Sequence, residues 1–327
     1  MDFTYGRTMK LLLRTLPFLV FRLLVYVGIA LGWIIITAVG AGIGAMVGAV
    51  GGSTAAGATV GGLMAFVACL GILAFLRRYL LYMVKSAHIA VLVEAIDGRA
   101  LPAGQGQVAY GQQAVKQRFV EMSVLFGVDS VIKGILRAFN RLVVRVANFL
   151  PIPGAAKVAK IGNAVINSSL TYVDETILGH NLRVRSTNPW ETSRQGLILY
   201  AQNYSQFLKN AVKLTLGVWG LTLLIFLVLL MPVALVVWLL PVTGGLVPLL
   251  LTLSLTWAVK LAVVEPFAVT AMLQVWAKVT EGQVPNPEWE GKLQQASRKF
   301  GEMGAKARSW EHRKHDDDAP QAAGGTL

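Results

Sequence analysis

Charge and cysteine are the two things this chain has little of. Only 14% of its 327 residues are charged and 55% are hydrophobic, whereas a soluble domain carries roughly a quarter charged residues. Those proportions belong to a protein of the bilayer. The one cysteine, Cys69, sits in an apolar run with no second thiol to meet, which excludes a disulfide within the chain and sets redox chemistry aside. Also missing are a phosphate-cradling glycine loop ending in Lys-Ser or Lys-Thr, a nucleophile elbow, and metal-ligand spacing among His88, His180, His312 and His315. The expectation is therefore no enzyme and no cofactor. Asp174-Glu175 with His180 is the nearest thing to a catalytic group, but adjacent carboxylates on a helix diverge, so these are read as surface or interhelical contacts.

Four apolar runs are present, each close to the ~20 residues a membrane helix needs: Leu23 to Val47, Gly61 to Leu76, Leu214 to Leu240 and Gly245 to Val259. Arg77 and Arg78 stop the second, and Lys260 and Glu265 mark the end of the fourth. Helical patterning continues beyond those charges to Asp97-Gly98 and Glu281-Gly282, which predict helix ends. The basic residues of the chain, net charge +13, avoid the two short interspan turns, and residues 77 to 210 alone hold sixteen basic and seven acidic residues. By the excess of Lys and Arg in cytosolic loops, both termini and the middle segment face the cytosol. The N-terminal run is read as a retained span rather than a cleaved signal, and the membrane as a bacterial inner one.

The fold class that follows is an all-α integral membrane protein, with four transmembrane helices as two tandem two-span hairpins and a helical cytosolic segment between them. Tyr5, Leu13, Arg14 and Thr15 align without a gap on Tyr200, Leu208, Lys209 and Asn210 at an offset of 195, and the two helix ends align at an offset of 184. The surplus of about eleven residues falls in the glycine-rich first hairpin. Such tandem copies imply a pseudo-symmetry axis along the membrane normal. The domains are 1–100, the first hairpin with its cytosolic extension; 101–200, the amphipathic cytosolic segment; 201–293, the second hairpin with its extension; and 294–327, a helix with a disordered tail from His312. Pro151-Ile152-Pro153-Gly154 divides the middle segment into two arms, and Asn188-Pro189-Trp190-Glu191 predicts a helix start.

Three features are candidates for function. Gly40, Gly44, Gly48 and Gly52 recur every four residues, continued by Gly57, Gly61 and Gly62. Glycine at that spacing lets helix backbones approach in lipid, either within one subunit or as an interface or pore lining in a homo-oligomer. Lys133, Arg137, Arg141 and Arg145 form a cationic stripe on an otherwise apolar helix, suited to anionic lipid, to a solvated face, or to a vestibule that gathers anions. No aromatic or fold motif accompanies it, which argues against nucleic acid. Charge close to the bilayer is the third: Arg22, and Lys260 with Glu265 at a possible cytosolic entrance, since intramembrane charge is functional by default and snorkelling is its ordinary alternative. Pro232, Pro241 and Pro248 interrupt or bound spans 3 and 4, and Trp219, Trp238 and Trp257 suit interfacial belts.

The segment Val165 to Val218, VINSSLTYVDETILGHNLRVRSTNPWETSRQGLILYAQNYSQFLKNAVKLTLGV, resembles the C-terminal part of the choline transporter-like family, and Thr270 to Leu293, TAMLQVWAKVTEGQVPNPEWEGKL, is similar to that family's closing helix and exit. The resemblance implies a helical membrane core associated with choline or lipid-precursor handling. Family members generally have more spans and a large extracellular loop, which this chain lacks. Two functions follow as expectations: an oligomeric transporter or channel-like protein for a small solute or lipid-related molecule, or a non-transporting scaffold whose basic helices bind anionic lipid or a soluble partner.

Overall fold

The computed structural model describes residues 2–147, 170–238 and 247–318, and among them all regular structure is helical. Four helices are long and apolar enough to cross a membrane: Leu16–Val50, Tyr79–Ile96, Tyr204–Trp238 and Leu251–Val279. The second is part of one continuous 43-residue helix that starts at Thr54 and also contains the expected run from Gly61 to Leu76. Pro151 to Gly154 and Pro241 lie outside the described residues.

A short helix α1 (Tyr5–Arg14) breaks at Thr15 and is followed by α2 (Leu16–Val50), with Pro17 in the first turn where its missing N–H is harmless. Gly51 and Gly52, the latter at φ 79°, turn the chain into α3 (Thr54–Ile96). Then come α4 (Gln107–Lys116), α5 (Phe119–Ala147) and the helical residues 170–183, here α6. Helix α7 (Pro189–Gln202) begins where predicted, its first turn capped by the Asn188 Oδ1, which accepts from the Glu191 N–H at 3.1 Å. Helix α8 (Tyr204–Trp238) follows, then α9 (Val247–Val259), a five-residue π segment (Lys260–Val264) and α10 (Glu265–Val279). Two polar helices close the chain, α11 (Pro287–Ala296) and α12 (Arg298–Asp318). The latter runs through His312 to Asp318, where disorder was expected; Glu311, Arg313 and Lys314 are good helix formers that extend it.

Both predicted stops are present: Gly98 and Gly282 take left-handed φ values of 72° and 69° within three residues of the ends of α3 and α10. Other parts of the expected repeat do not fall in register. The breaks before α2 and α8 lie at Thr15 and Asn203, whereas the alignment pairs Thr15 with Asn210, inside α8.

The molecule has an apolar half and a polar half. In the first, α2, the start of α3, α8 and α9 pack pairwise and turn large aliphatic side chains outward, with Leu24 68%, Ile35 60% and Met231 81% exposed. Contiguous apolar surface on this scale marks a face made for lipid or protein. In the second, the ends of α3 and α10 are surrounded by α4 to α7, α11 and α12 around a core that includes Phe18, Leu136, Phe139, Ile177, Phe207 and Trp276. Helix α10 shows the change, since Met272 is fully buried and Trp276 is 2% exposed. The C-terminal helix is tied back by Asn188 Nδ2 donating to Ala307 O at 3.0 Å and Trp310 Nε1 donating to Thr187 O at 2.9 Å.

Candidate functional site

The most constrained polar group lies where the two halves meet. Arg22, in the second turn of α2, is 2% exposed. Its Nη1 contacts His88 Nδ1 at 3.2 Å, its Nη2 donates to Leu261 O at 2.9 Å, and its guanidinium sits 5.6 Å from the Tyr26 ring centroid. A guanidinium only donates, so His88 Nδ1 must accept and the ring proton sits on Nε2. Nε2 then donates to Thr15 Oγ1 at 3.2 Å, and the Thr15 hydroxyl donates to Leu12 O at 3.1 Å. Phe18 stacks on the imidazole, centroids 4.9 Å apart and planes at 4°. The chain of donors has one direction, from α2 through α3 to the carbonyl end of α1.

The π segment explains why a backbone carbonyl is available. Glu265 N–H donates to Lys260 O, five residues back, so it is not offered to Leu261 O. The residue five on from Leu261 is Pro266, which has no N–H. Leu261 O is left with Arg22 as its donor. Such widened turns recur at functional sites. Lys260 Nζ and Glu265 Oε1 pair with each other at 2.7 Å across the same segment, and among the described residues no carboxylate pairs with Arg22. Its charge is held by neutral acceptors and an aromatic face, and Arg22 Nε has no acceptor.

A second cluster lies in the polar half, between α3, α5 and α6. Lys133 Nζ is 2.7 Å from Asp129 Oδ2 and 3.0 Å from Asp174 Oδ2, and Lys85 is in close contact with Glu175. Asp174 Oδ1 and Glu175 Oε2 have no donor. Three carboxylates thus face two ammonium groups. Burial pushes the Asp174 carboxyl well above the usual carboxylate range against the pull of Lys133, and it raises Glu175 against Lys85. Burial also opposes the Lys133 charge, but Asp174 and Asp129 together outweigh it and hold that ammonium above the ordinary lysine range.

A cleft of about 860 Å³ opens in the polar half, where the N-terminal segment meets the ends of α3, α6 and α10. Arg7, Arg183 and Lys278 line it together with Asp2, Asp97 and Glu281. Arg183 grips Asp97 with two donors, one of them Nε at 2.9 Å from Oδ2, and Lys278 stands 3.7 Å from Asp2. His180 rests on Trp276 at 5.5 Å between centroids; burial, helped by Arg183, lowers it to about 4, so it is neutral at physiological pH. The lining is amphoteric, and most of its charges are already engaged.

The structure distributes the sequence candidates over different places. Gly40, Gly44, Gly48 and Gly61 lie at the α2–α3 contact: a Cβ on Gly44 would stand 2.8 Å from Gly61 Cα, and one on Gly48 2.8 Å from Gly57 Cα. Gly52 belongs instead to the turn, with open space around it. Of the cationic stripe, Lys133 is half-buried in the carboxylate cluster, Arg137 and Arg141 are exposed, and the Arg145 side chain lies outside the described ones. Asp174 and Glu175 are interhelical, and they are buried rather than at the surface. Lys260 and Glu265 pair with each other. The pairing of Arg22 with His88, 66 residues apart, is not visible from spacing; the Glu265-Pro266 step inside an apolar run is the signal that points to it. No group of three or more His, Cys, Asp or Glu that could hold a metal occurs among the described residues. No protein-family model, curated protein or solved structure matches the chain.

Proposed function

We propose that the chain is a four-span membrane protein, with both termini and the polar bundle in the cytosol of a bacterium, acting as a membrane-held scaffold. The observation that carries this reading is the position of the clefts. Of five clefts among the described residues, four lie in the polar half and one, about 580 Å³, is an apolar groove on the glycine hairpin. Between α2 and α9 the apolar half is filled by Tyr26, Ala30, Ala258 and Ala262. A solute would need a polar path there. The working surface is then the charged bundle and its amphoteric cleft, which suit a soluble partner or lipid headgroups.

A second reading keeps the transporter, built from several copies. It is favoured by the groove lined by Ile43, Val47, Val60 and Met64 beside the glycine contact, which offers a face to another copy, and by charge at the π segment. The choline transporter-like resemblance, on the residues quoted above, belongs with this second reading, as does the tandem-hairpin symmetry. Proteoliposomes separate the two. With the purified protein reconstituted at a known copy number, the scaffold requires ion and neutral-solute leak equal to that of empty vesicles. Saturable movement of any solute above that background would replace the scaffold by the transporter.

A further inference from the structure

Helix α1 is amphipathic, with its cations and its outward apolar residues on separate faces. Thr8, Leu11 and Leu12 are buried on one face; Tyr5, Met9 and Leu13 are exposed at 58%, 49% and 59% on a second; Arg7, Lys10 and Arg14 are exposed on a third. At 100° per residue these sets occupy separate arcs of the helix, with the apolar one next to the buried one.

Its contacts show which way it runs. Just before it, Asp2 N–H donates to Oδ1 of Asn210 on α8 at 3.2 Å and Asn210 Nδ2 donates to Asp2 Oδ2 at 2.8 Å, with Lys278 of α10 at 3.7 Å from Asp2. In its middle, Gln274 Nε2 of α10 donates to Thr8 Oγ1 at 2.8 Å. At its end, Thr15 meets His88 of α3. Within these few residues the segment passes from α8 over α10 to α3, so it crosses the long helices instead of running along them. The Tyr5 ring stacks on Phe267, centroids 6.1 Å apart, on the side of Gln274 that leads up α10 to the apolar half. The apolar arc of α1 therefore turns toward the lipid-facing surface, which begins at Leu16 on α2 and Leu216 on α8. Lys209 and Lys213, both exposed, flank Asn210 at the same level.

The geometry points to α1 as an in-plane helix that lies on the inner face of the bilayer, sinks Tyr5, Met9 and Leu13 among the acyl chains and holds anionic phospholipid headgroups with Arg7, Lys10 and Arg14, joined by Lys209 and Lys213. This rests on the membrane reading and adds a plane to it: the inner boundary lies at Leu16 and Leu216, not at Lys260. From Leu216 to Trp238 the exposed run of α8 measures about 33 Å at 1.5 Å per residue, close to the ~30 Å hydrocarbon core. Charge complementarity selects the anionic lipid, since among the described residues Arg7, Lys10, Arg14, Lys209 and Lys213 have no carboxylate partner.

The test places a nitroxide on the full chain in nanodiscs of phosphatidylglycerol and phosphatidylcholine, in a Cys69→Ser background, at Met9→Cys, Lys10→Cys or Leu227→Cys. Oxygen and water-soluble relaxers report depth. The expected result is Leu227 deep, Met9 shallow but shielded from water, and Lys10 in water. If Leu227 is deep and Met9 is as wet as a probe at Arg141→Cys, the in-plane helix is wrong while the membrane reading survives; if Leu227 is also wet, both fall. The charge is tested separately. Changing Arg7, Lys10 and Arg14 together to Gln should remove most of the phosphatidylglycerol retained on the protein in native mass spectrometry, whereas changing Arg137 and Arg141 to Gln should leave it. Equal retention by all three proteins would overturn the lipid assignment.

Discussion

The two apolar sets of packed helices, α2 with α3 and α8 with α9 and α10, solve one problem by opposite means. In α2–α3 the helices meet backbone to backbone, Gly40, Gly44 and Gly48 against Gly57, Gly61 and Ala65. In α8 with α9 and α10, Gly217 and Gly220 face open space, and the contact uses larger side chains, a proline and a π segment. They also differ in reach. Counting at 1.5 Å per residue from the Tyr26–Trp257 and Phe207–Trp276 contacts, α2 reaches about 18 Å farther out than Trp238, the last described residue of α8. Glycine packing therefore supports a hairpin that outruns its neighbour. The shorter hairpin, with its carbonyl freed at Leu261, is the one that holds Arg22.

The sharpest way to break the comparison is to place the same bulk in both. Gly44→Leu or Gly48→Leu drives a side chain into backbone that cannot move aside, and should lower stability by about 3 kcal/mol or prevent folding. Gly217→Leu or Gly220→Leu should shift stability by less than about 0.5 kcal/mol, as an exposed change does. Thermal unfolding of the four proteins in one detergent checks this. Similar melting for all of them would mean that glycine spacing is incidental to the first hairpin.

A smaller effect is expected at the junction of the hairpins. His88→Leu keeps the bulk but removes the acceptor for Arg22 and the donor to Thr15, leaving a buried cation with one fewer partner. The cost of such an orphaned group is about 2 kcal/mol. Arg22→Met removes the charge as well and should cost less than His88→Leu, because apolar replacement of a buried ion is often tolerated. The reverse order in chemical denaturation would show that the charge itself stabilises the fold.

The periodic features were legible in the sequence. Gly98 and Gly282 end helices because a left-handed residue is needed there, and Asn188-Pro189 starts one because the cap and the proline both act on local backbone. The glycine spacing announced a close approach, and its site is the α2–α3 contact. What spacing could not supply was the opposing element. The Lys133 stripe reads as cationic on its own helix, yet Lys133 faces Asp129 and Asp174, the latter 41 residues away, and Lys85 meets Glu175 across 90 residues. Helical periodicity tells which face a residue occupies, not what packs on that face. The same gap hid α1: its basic residues were read as topology signals, and only its crossing of α8, α10 and α3 separates the buried arc from the two exposed ones.

The carboxylate cluster gives the smallest of these effects, and a sign that can be worked out. The groups facing Asp174 are Lys133 and Asp129 from α5, Glu175 beside it and Lys85 from α3. An acid whose folded pKa is raised binds its proton more tightly in the native state. Its stabilising contribution is complete below the unfolded pKa and is lost as pH rises toward the folded one. Lys133 acts at the other end of the scale: held above the ordinary lysine range, it contributes throughout neutral pH and loses its effect only above that range. His180, lowered to about 4, costs stability only as pH falls below the usual histidine range. Between pH 5 and pH 9 the alkaline slope of the wild-type protein thus comes from Asp174 with Glu175. Asp174→Asn, which keeps the shape and cannot ionise, should flatten that slope and melt higher than wild type at pH 9, by an amount on the order of 1 kcal/mol. Melting followed by intrinsic tryptophan fluorescence across that range reads it. A variant that melts lower than wild type at pH 9 would mean that ionised Asp174 is a net partner of Lys133, and that the cluster stabilises the bundle as an ion pair.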